Sequence, residues 1–503
     1  MQDAFEHFQL PPQHLKSLSF CQASPQALGE WLLKQPLGQT KEMSVLLYTL
    51  LPQINQLDCT SQERIELLDI MRPAVYQCVA NCHNQHLCQP LQLDQQSTRI
   101  AMMSHALLRH LCDGYLIAIK DALPSSDQET NLAKCMFFAL HGLDQLYFHC
   151  VQLYANTTPL FWLKAHGIYQ LALNHDVTEV SIPAYHSPDE TRTIAQAYKR
   201  LIMMACSHTN QLPPIDITYL HQAFEDWADT TVIISAQEAG DHSQCRYWAN
   251  PNEDTAPHNR DQHKSNEDIG FDFTDIVLLL QTHNHYAPGK GVKEIPTFFR
   301  HSLAEHLLQC WQRTERRKQA RQVIDERFEI CVGLDNAYSL LNTHHSDDNS
   351  STYVNAVDSS PDGLCLRWQH KIPKKTEPGQ CLLIRSPGKK LWRIGIIRWV
   401  HRLNQYTYAG IQLLSEHIAP TVGKLYWQAD QAQQSYPSIA FERSNDTNGS
   451  VDLLLPKSVT PVENASSHAI LKTDHGKETI AHLNKMTEFA SVNHYSCTMT
   501  PNP

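Results

Sequence analysis

Apolar residues in the first half of the chain recur three and four positions apart. Ile65, Leu68 and Met71 show this spacing, which places apolar side chains on one face of a helix. The pattern predicts amphipathic α-helices from Lys41 to about residue 235, separated by breaks such as residues 123–126. This half is therefore predicted to be an α-helical bundle or a solenoid of paired helices.

The helical pattern weakens between residues 238 and 268, where polar residues predict a loop or linker. Residues 271–281 have the pattern of a further helix. Residues 296–321 also have a helical pattern, and it leads directly into a cluster of basic residues. We therefore expect a helix to join the first half of the chain to the second.

From Gln322 the period changes towards two, which is typical of strands. Phe328, Ile330 and Val332 alternate with polar or small residues. Further strand-like runs cover residues 380–385, 391–400 and 407–414. Five or six short strands of this kind suit a small β-barrel.

These patterns together predict an α+β multidomain protein. Residues 1–310 form the all-α bundle or solenoid, with a polar loop at about 238–268, and residues 311–420 form the β-barrel. Residues 421–503 contain more strand-like runs and form an additional β-rich region. A chain of 503 residues is too long for one core, which agrees with several domains.

Charge is distributed unevenly along the chain. The formal net charge is −11, but residues 311–420 carry 16 Lys and Arg against 11 Asp and Glu, a net charge of +5. A basic segment in an acidic protein suits a small anionic ligand. It does not suggest a nucleic acid polymer as partner, because proteins that bind such polymers usually have a wider basic face.

Other sequence features argue against secretion, a membrane span, a metal and catalysis. The 15 cysteines lack paired spacing, the start of the chain lacks a signal peptide pattern, and no apolar run has the length of a membrane span. We therefore expect a cytoplasmic protein with reduced thiols. The local clusters 283–285 and Cys78/Cys82/His83 lack zinc spacing, and residues 288–293 lack a full phosphate-loop motif. We expect no cofactor, no metal and no enzymatic activity.

Two short clusters carry the candidate binding chemistry. Arg316, Arg317 and Arg321 lie in the first cluster, where the last two form an R-x-x-x-R pattern. The second cluster, residues 358–363, has the pattern D-x-S-x-x-G and comes before a strand-like run. An Arg side chain can meet a phosphate, or the O6/N7 edge of guanine, with two parallel hydrogen bonds.

The order of these two motifs in a β-rich segment resembles the PilZ domain, a small β-barrel that binds cyclic di-GMP. The resemblance covers roughly residues 311–420, and the helical half, with its stretch at 64–73, is similar to that of larger PilZ proteins. It implies that Arg317 and Arg321 form an arm over the ligand, with Arg316 as an accessory. It also implies that the D-x-S-x-x-G residues support the ligand from the barrel. The ligand-binding residues implied in this second motif are Asp358, Ser360 and Gly363.

The motif chemistry agrees with this ligand. An Asp can accept hydrogen bonds from the N1/N2 edge of guanine, and a Ser hydroxyl can bond a phosphate or a base. A Gly at the end of the turn allows a close approach of the backbone and a positive φ. The sequence departs from the compact family pattern between Arg321 and Asp358, where a polar insert lies at residues 344–351.

Three hypotheses follow. The first is a cyclic di-GMP effector, in which ligand binding changes the arrangement of the domains and regulates a protein partner through the helical half. The second is a helical protein-interaction scaffold with a degenerate, non-binding PilZ-like barrel. The third is a hydrolase that uses His-rich sites. Trp392, Trp399 and Trp427 are expected in the barrel core or in strand pairing, with stacking on guanine as the alternative role.

Overall fold

The structure is a computed structural model of the chain. The structure describes parts of the 503-residue chain. The described residues are 8–87, 91, 93–123, 129–183, 191–239, 245–260, 265–283, 295–296, 299–312, 320–342, 351–369, 371–415, 421–426, 435–442, 451–459, 468–472 and 478–499.

The chain divides into two compact units. The helical unit comprises Met1–Thr209 and Ile217–Thr314. The β unit comprises Glu315–Pro503 together with the short segment Asn210–Asp216. The change from helices to strands along the chain thus coincides with the change of unit after Thr314.

The helical unit is built mainly from long helices, as the spacing of apolar residues predicts. Ile65, Leu68 and Met71, which define the predicted apolar face, are at most 2% exposed. The elements up to the short four-stranded sheet are α1 (Pro25–Leu32), α2 (Thr40–Gln56), α3 (Ser61–His86), α4 (Gln95–Ala122), α5 (Glu129–Gln152), α6 (Phe161–Asn174), β1 (Ile182–Pro183), β2 (Thr191–Arg192), α7 (Ile194–Ala205) and α8 (Pro214–Trp227).

Side-chain caps explain where several of these helices begin. Thr60 precedes α3, and its side chain and that of Glu63 satisfy each other's backbone N–H groups in a capping box. Asp94 precedes α4 and accepts a hydrogen bond from the backbone N–H of Ser97. None of the described helices is both long and apolar enough to cross a lipid bilayer.

Arg64 is wholly buried between α2 and α3. Its guanidinium donates to the carbonyl oxygens of Ile54 at 2.6 Å and Leu57 at 2.7 Å. These carbonyls belong to the last turn and the end of α2, where few backbone donors are available, although the Leu57 N–H also reaches the Ile54 oxygen at 3.4 Å. The side chain of Arg64 therefore terminates α2 and links it to α3.

The prediction of an irregular loop over residues 238–268 is wrong in part. Short strands in this stretch join a four-stranded antiparallel sheet in the order β3-β6-β4-β5, and Tyr247 and Trp248 in β4 are buried. A three-residue apolar strand among polar residues is too short to show a period. The elements here are β3 (Val232–Ser235), α9 (Ala236–Ala239), β4 (Tyr247–Ala249), β5 (His258–Asn259) and β6 (Ile269–Asp272).

The last two helices of this unit are shorter than the sequence predicts. Helix α10 (Thr274–His283) begins after β6, because the Asp272 carboxylate caps the N–H of Thr274 at 2.8 Å. The described part of helix α11 is His301–Gln312, and the described residues Ala320 and Arg321 are not helical. The predicted helix over residues 296–321 is therefore wrong at its described C-terminal end.

Six strands of the β unit form a closed ring. Their order is β10-β11-β12-β9-β8-β7, and β7 pairs with β10 to close the barrel. All the pairs are antiparallel. The elements are β7 (Gln322–Val332), α12 (Leu334–Asn342), β8 (Thr352–Ser360), β9 (Gly363–Trp368), β10 (Cys381–Arg385), β11 (Arg393–Leu403) and β12 (Tyr406–Leu413).

Six further strands form a second antiparallel sheet in the order β13-β14-β15-β18-β17-β16. Ile439 and Phe441 from this sheet share one buried core with Leu383 and Ile396 of the ring. The second sheet therefore covers one part of the outer surface of the ring. Its strands are β13 (Thr421–Tyr426), β14 (Ser435–Glu442), β15 (Val451–Pro456), β16 (His468–Lys472), β17 (Glu478–Glu488) and β18 (Val492–Met499).

The predicted order of a helical half followed by a β-rich region is confirmed. The change of hydrophobic period at Gln322 marks the first residue of β7. The predicted strands at 380–385, 391–400 and 407–414 correspond to β10, β11 and β12 within three residues at each end.

Candidate functional site

The two predicted motifs meet at one end of the six-stranded ring. Arg321 immediately precedes β7, Asp358 and Ser360 lie in the last three residues of β8, and Gly363 is the first residue of β9. Antiparallel pairing places Val323 of β7 opposite Asp358. Arg316 and Arg317 lie outside the described residues, so their predicted place over the ligand stays a prediction.

Arg321 and Asp358 form a direct ion pair. Nη1 of Arg321 donates to Oδ1 of Asp358 at 2.8 Å and to Oδ2 at 3.1 Å. The side chains remain 31% and 25% exposed, respectively. The charged groups of both motifs are thus brought together and remain accessible to solvent.

Ser360 and Gly363 lie opposite each other across the two-residue turn between β8 and β9. The Ser360 hydroxyl is 3.5 Å from the carbonyl oxygen of Gly363, which is the limit of a hydrogen bond. Ser360 therefore retains most of the hydrogen-bonding capacity of its hydroxyl.

Glycine is needed at position 363 for a structural reason that differs from the predicted one. The glycines with positive φ among the described residues are Gly333, Gly379 and Gly388, so the expected positive φ at Gly363 is wrong. A Cβ at Gly363 would lie 2.7 Å from the carbonyl oxygen of Ile411 in β12. Glycine is needed here because the neighbouring strand approaches closely.

A row of paired residues crosses the outer face of the ring from Asp358. Asp358 pairs with Cys365, Cys365 pairs with Gly410, and Gly410 pairs with Trp399. The Trp399 indole lies against Gly410, where an added Cβ would come within 2.0 Å of Nε1. The row therefore ends in a half-buried aromatic ring.

The pKa of the Cys365 thiol depends on its burial and on the charged residues Asp358 and Arg321. Burial, reinforced by the Asp358 carboxylate and partly opposed by Arg321, raises the pKa of the Cys365 thiol to about 11. The thiol therefore stays protonated at neutral pH. It adds no charge between Asp358 and the tryptophan.

The three tryptophans considered from the sequence have different surroundings. Trp392 is 7% exposed and belongs to the core shared with the second sheet, which confirms the packing role. Trp399 instead lies on the outer row, where the alternative role of stacking on a base remains open. Trp427 lies outside the described residues. Sequence alone could not predict that Trp392 and Trp399 have different surroundings, because a β-bulge after Ile397 shifts the register of β11.

Of the candidate metal clusters, Cys78/Cys82/His83 lies within the described residues. Within the described parts of the chain, no group of three or more His, Cys, Asp or Glu residues could hold a metal ion. Cys78 and Cys82 are buried in α3 beside His83, and burial lowers the pKa of that histidine. Residues 284–285 and 288–293 lie outside the described residues.

Comparison with known proteins finds two matching family models. Residues 26–237 match the N-terminal domain of the cyclic-di-GMP receptor FimW. Residues 247–345 and 336–420 match the middle PilZ domain of the same receptor. Together the models cover about three quarters of the chain. The middle-domain match contains the described residues of both predicted motifs.

A curated relative matches nearly the whole chain. It is the cyclic-di-GMP receptor FimW of Pseudomonas aeruginosa, which is 22% identical over 569 aligned residues. The alignment covers 96% of this chain and 92% of the relative. The similarity therefore extends through the helical unit, the ring and the second sheet.

Proposed function

Because the chain belongs to the PilZ-domain family described by the N-terminal and middle domains of the cyclic-di-GMP receptor FimW, we propose that it binds cyclic di-GMP. The observation that carries the proposal is the meeting of Arg321 with Asp358 at one end of the ring. We take residues 311–420 as the ligand-binding domain and residues 421–503 as an additional β-rich region. The proposed activity is binding, not turnover.

Each motif residue has a role in this proposal. Arg321, with Arg316 and Arg317 from the preceding arm, donates charge-assisted hydrogen bonds to phosphate or guanine oxygen atoms. The Asp358 carboxylate accepts from the N1/N2 edge of a guanine, and the Ser360 hydroxyl bonds a phosphate or base. Gly363 acts indirectly, by allowing β12 to support the hairpin that carries these groups.

Trp399 extends the proposed site along the outer face. It lies in the same cross-strand row as Asp358, separated from it by Cys365 and Gly410. An indole in the same row as a guanine-binding carboxylate offers a surface on which a base of the ligand can stack. This role belongs to the same ligand and adds no second function.

Ligand binding must exchange the existing ion pair for contacts with the nucleotide. Both side chains are partly exposed, so the pair contributes only about 0–1 kcal/mol to stability. Charge-assisted hydrogen bonds to the ligand contribute about 1.5–3 kcal/mol each. The exchange is therefore favourable, and the pair holds Arg321 near its place in the complex.

We further propose that binding changes the arrangement of the two units and regulates a protein partner of the helical unit. The basic arm lies between Gln312, the last residue of α11, and Gln322, the first residue of β7. A ligand held by the arm and by β8 would tie this connection to the ring. The difference in ligand contacts between the two arrangements supplies the energy.

The proposal is tested by isothermal titration of the full chain with cyclic di-GMP. Arg321→Ala should weaken binding roughly tenfold to a hundredfold, since it removes a charge-assisted contact. The control Arg99→Ala changes an exposed arginine in α4 of the helical unit and should leave the affinity unchanged. Absence of binding by the wild-type chain would overturn the proposal.

One observation favours the alternative of a helical scaffold with a degenerate barrel. Asp358 already has both carboxylate oxygens bonded to Arg321, which competes with a ligand. The alternative predicts a stable complex with a protein partner that is indifferent to the nucleotide. Affinity capture with and without cyclic di-GMP distinguishes the two, because only the effector changes its partner binding.

A further inference from the structure

A cavity of roughly 580 Å³ opens at the end of the ring that carries the predicted motifs. Phe328 and Leu364 contribute apolar side chains to its wall, and Ser359 and Ser360 from the end of β8 contribute hydroxyl groups. A cavity of this size and mixed polarity is within the range of small-molecule sites.

The polar wall of this cavity is strongly basic. Arg385, Lys389, Lys390 and Arg393 line it, and Glu326 is the acidic residue among its lining residues. The whole chain carries a formal net charge of −11, so this local excess of positive charge is opposite in sign. Such a concave basic surface attracts a compact anion.

A defined turn holds the two lysines at the cavity mouth. The backbone N–H of Lys389 donates to the carbonyl oxygen of Ser386 at 3.1 Å. Pro387 and Gly388 occupy the central positions, and Gly388 has a φ of 78°. A proline followed by a left-handed glycine is typical of a type II turn. The backbone that carries Lys389 and Lys390 is therefore fixed.

Arg385 is also held in place. Its Nε donates to Oε2 of Glu329 at 2.7 Å, and its guanidinium lies 4.2 Å from the ring centroid of Trp392. Glu329 additionally accepts a hydrogen bond from the Ser351 hydroxyl at 2.7 Å. These contacts fix the Arg385 guanidinium before any ligand arrives, which reduces the entropic cost of binding, but they also pair its charge with the Glu329 carboxylate.

We propose that this basic cavity binds one phosphate-bearing half of cyclic di-GMP, so that the ligand spans the β8–β9 hairpin. The inference rests on the proposed function and extends its site to Lys389 and Lys390. Ser360 belongs to the predicted motif and also lines the cavity, so the hairpin links the two groups of residues. A cyclic dinucleotide carries two phosphates, and Arg321 with Asp358 accounts for only one side of it.

The test is a titration of the full chain with cyclic di-GMP at fixed ionic strength. The double variant Lys389→Gln/Lys390→Gln removes two charges from the cavity mouth and should weaken binding about tenfold or more. The control Lys371→Gln/Lys374→Gln removes two charges from exposed lysines in the β9–β10 loop, at the other end of the ring. It should bind as the wild type does.

The outcomes separate this inference from the proposed function. If Lys389→Gln/Lys390→Gln keeps wild-type affinity while Arg321→Ala loses it, the cavity is not part of the site and the inference is overturned. Equal weakening by both lysine double variants would also overturn it, because the effect would then follow net charge. No binding by the wild type would overturn both the function and the inference.

Discussion

Arginines in the two units of this protein serve different purposes. Arg64 in the helical unit is fully buried and donates to backbone carbonyls at the end of α2. Arg321 in the β unit has a side chain that is 31% exposed and donates to one carboxylate. The first arginine completes the hydrogen bonding of a packed core, whereas the second can exchange its partner for a ligand.

Other polar groups of the helical unit follow the pattern of Arg64. Asp144 is buried and accepts a hydrogen bond from Nε2 of His221 at 3.0 Å. Lys164 is buried and donates to Asp113 at 2.7 Å. Charge inside the helical unit is thus paired within the protein, while charge at the end of the ring faces solvent. The comparison predicts large stability effects in the first unit and mainly binding effects in the second.

The largest expected effect comes from Arg64→Ala. The substitution removes the charged donor from the carbonyl oxygens of Ile54 and Leu57 at a fully buried site, which should lower the free energy of unfolding by about 3 kcal/mol or more. Thermal or denaturant unfolding monitored by helical circular dichroism measures this. The matched control Arg99→Ala, at an exposed position of α4, should change it by less than about 0.5 kcal/mol. A small loss of stability in Arg64→Ala would contradict the structural role of this buried arginine.

For each buried histidine, acidic pH should destabilise the helical unit by less than Arg64→Ala does and by more than Arg321→Ala does. Burial lowers the pKa of both His105 and His166 to about 4. Unfolded histidine has a pKa of about 6.5, so the unfolded chain binds more protons between these values. The full contribution of these histidines to the free energy of unfolding is therefore present above pH 6.5. As the pH falls towards 4, the free energy of unfolding decreases, by about 2 kcal/mol per group at pH 5.

Variants of single histidines test this pH dependence. His105→Leu removes one buried titratable group and should flatten the dependence of unfolding free energy on pH between 6.5 and 4. His14 is exposed, so His14→Gln should leave that dependence unchanged. A pH profile that is the same for all three proteins would contradict the assignment.

The smallest expected effect on stability is that of Arg321→Ala. Its ion pair is partly exposed, so the free energy of unfolding should fall by no more than about 1 kcal/mol. The same variant should lose most of its affinity for cyclic di-GMP. A loss of several kcal/mol in the unfolding experiment would make Arg321 a structural residue like Arg64 and remove the contrast between the units.

The pattern of apolar residues predicted much of the fold, because long helices and alternating strands have clear periods. It missed β4 and β5, which are two or three residues long. It also extended a helix to Ala320 and Arg321, which are not helical, because basic residues are compatible with a helical pattern. Which strands close the ring depends on contacts distant in sequence, such as β7 with β10, and no local pattern encodes them.

The candidate site could be predicted in part. The motifs identified Arg321 and Asp358, and the structure brings them into contact. The cavity lysines escaped notice because Lys389 and Lys390 follow a turn and resemble any exposed basic hairpin in sequence. Their place at the same end of the ring follows from strand direction, which requires the complete topology.

Hydrogen–deuterium exchange of the full chain, with and without saturating cyclic di-GMP, tests the central claim most directly. We expect the ligand to slow exchange most strongly in peptides that contain Arg321 and the hairpin from Ser359 to Gly363. The buried core around Arg64 should show a smaller change. Unchanged exchange at the hairpin, in a sample where calorimetry shows that the ligand is bound, would contradict the account.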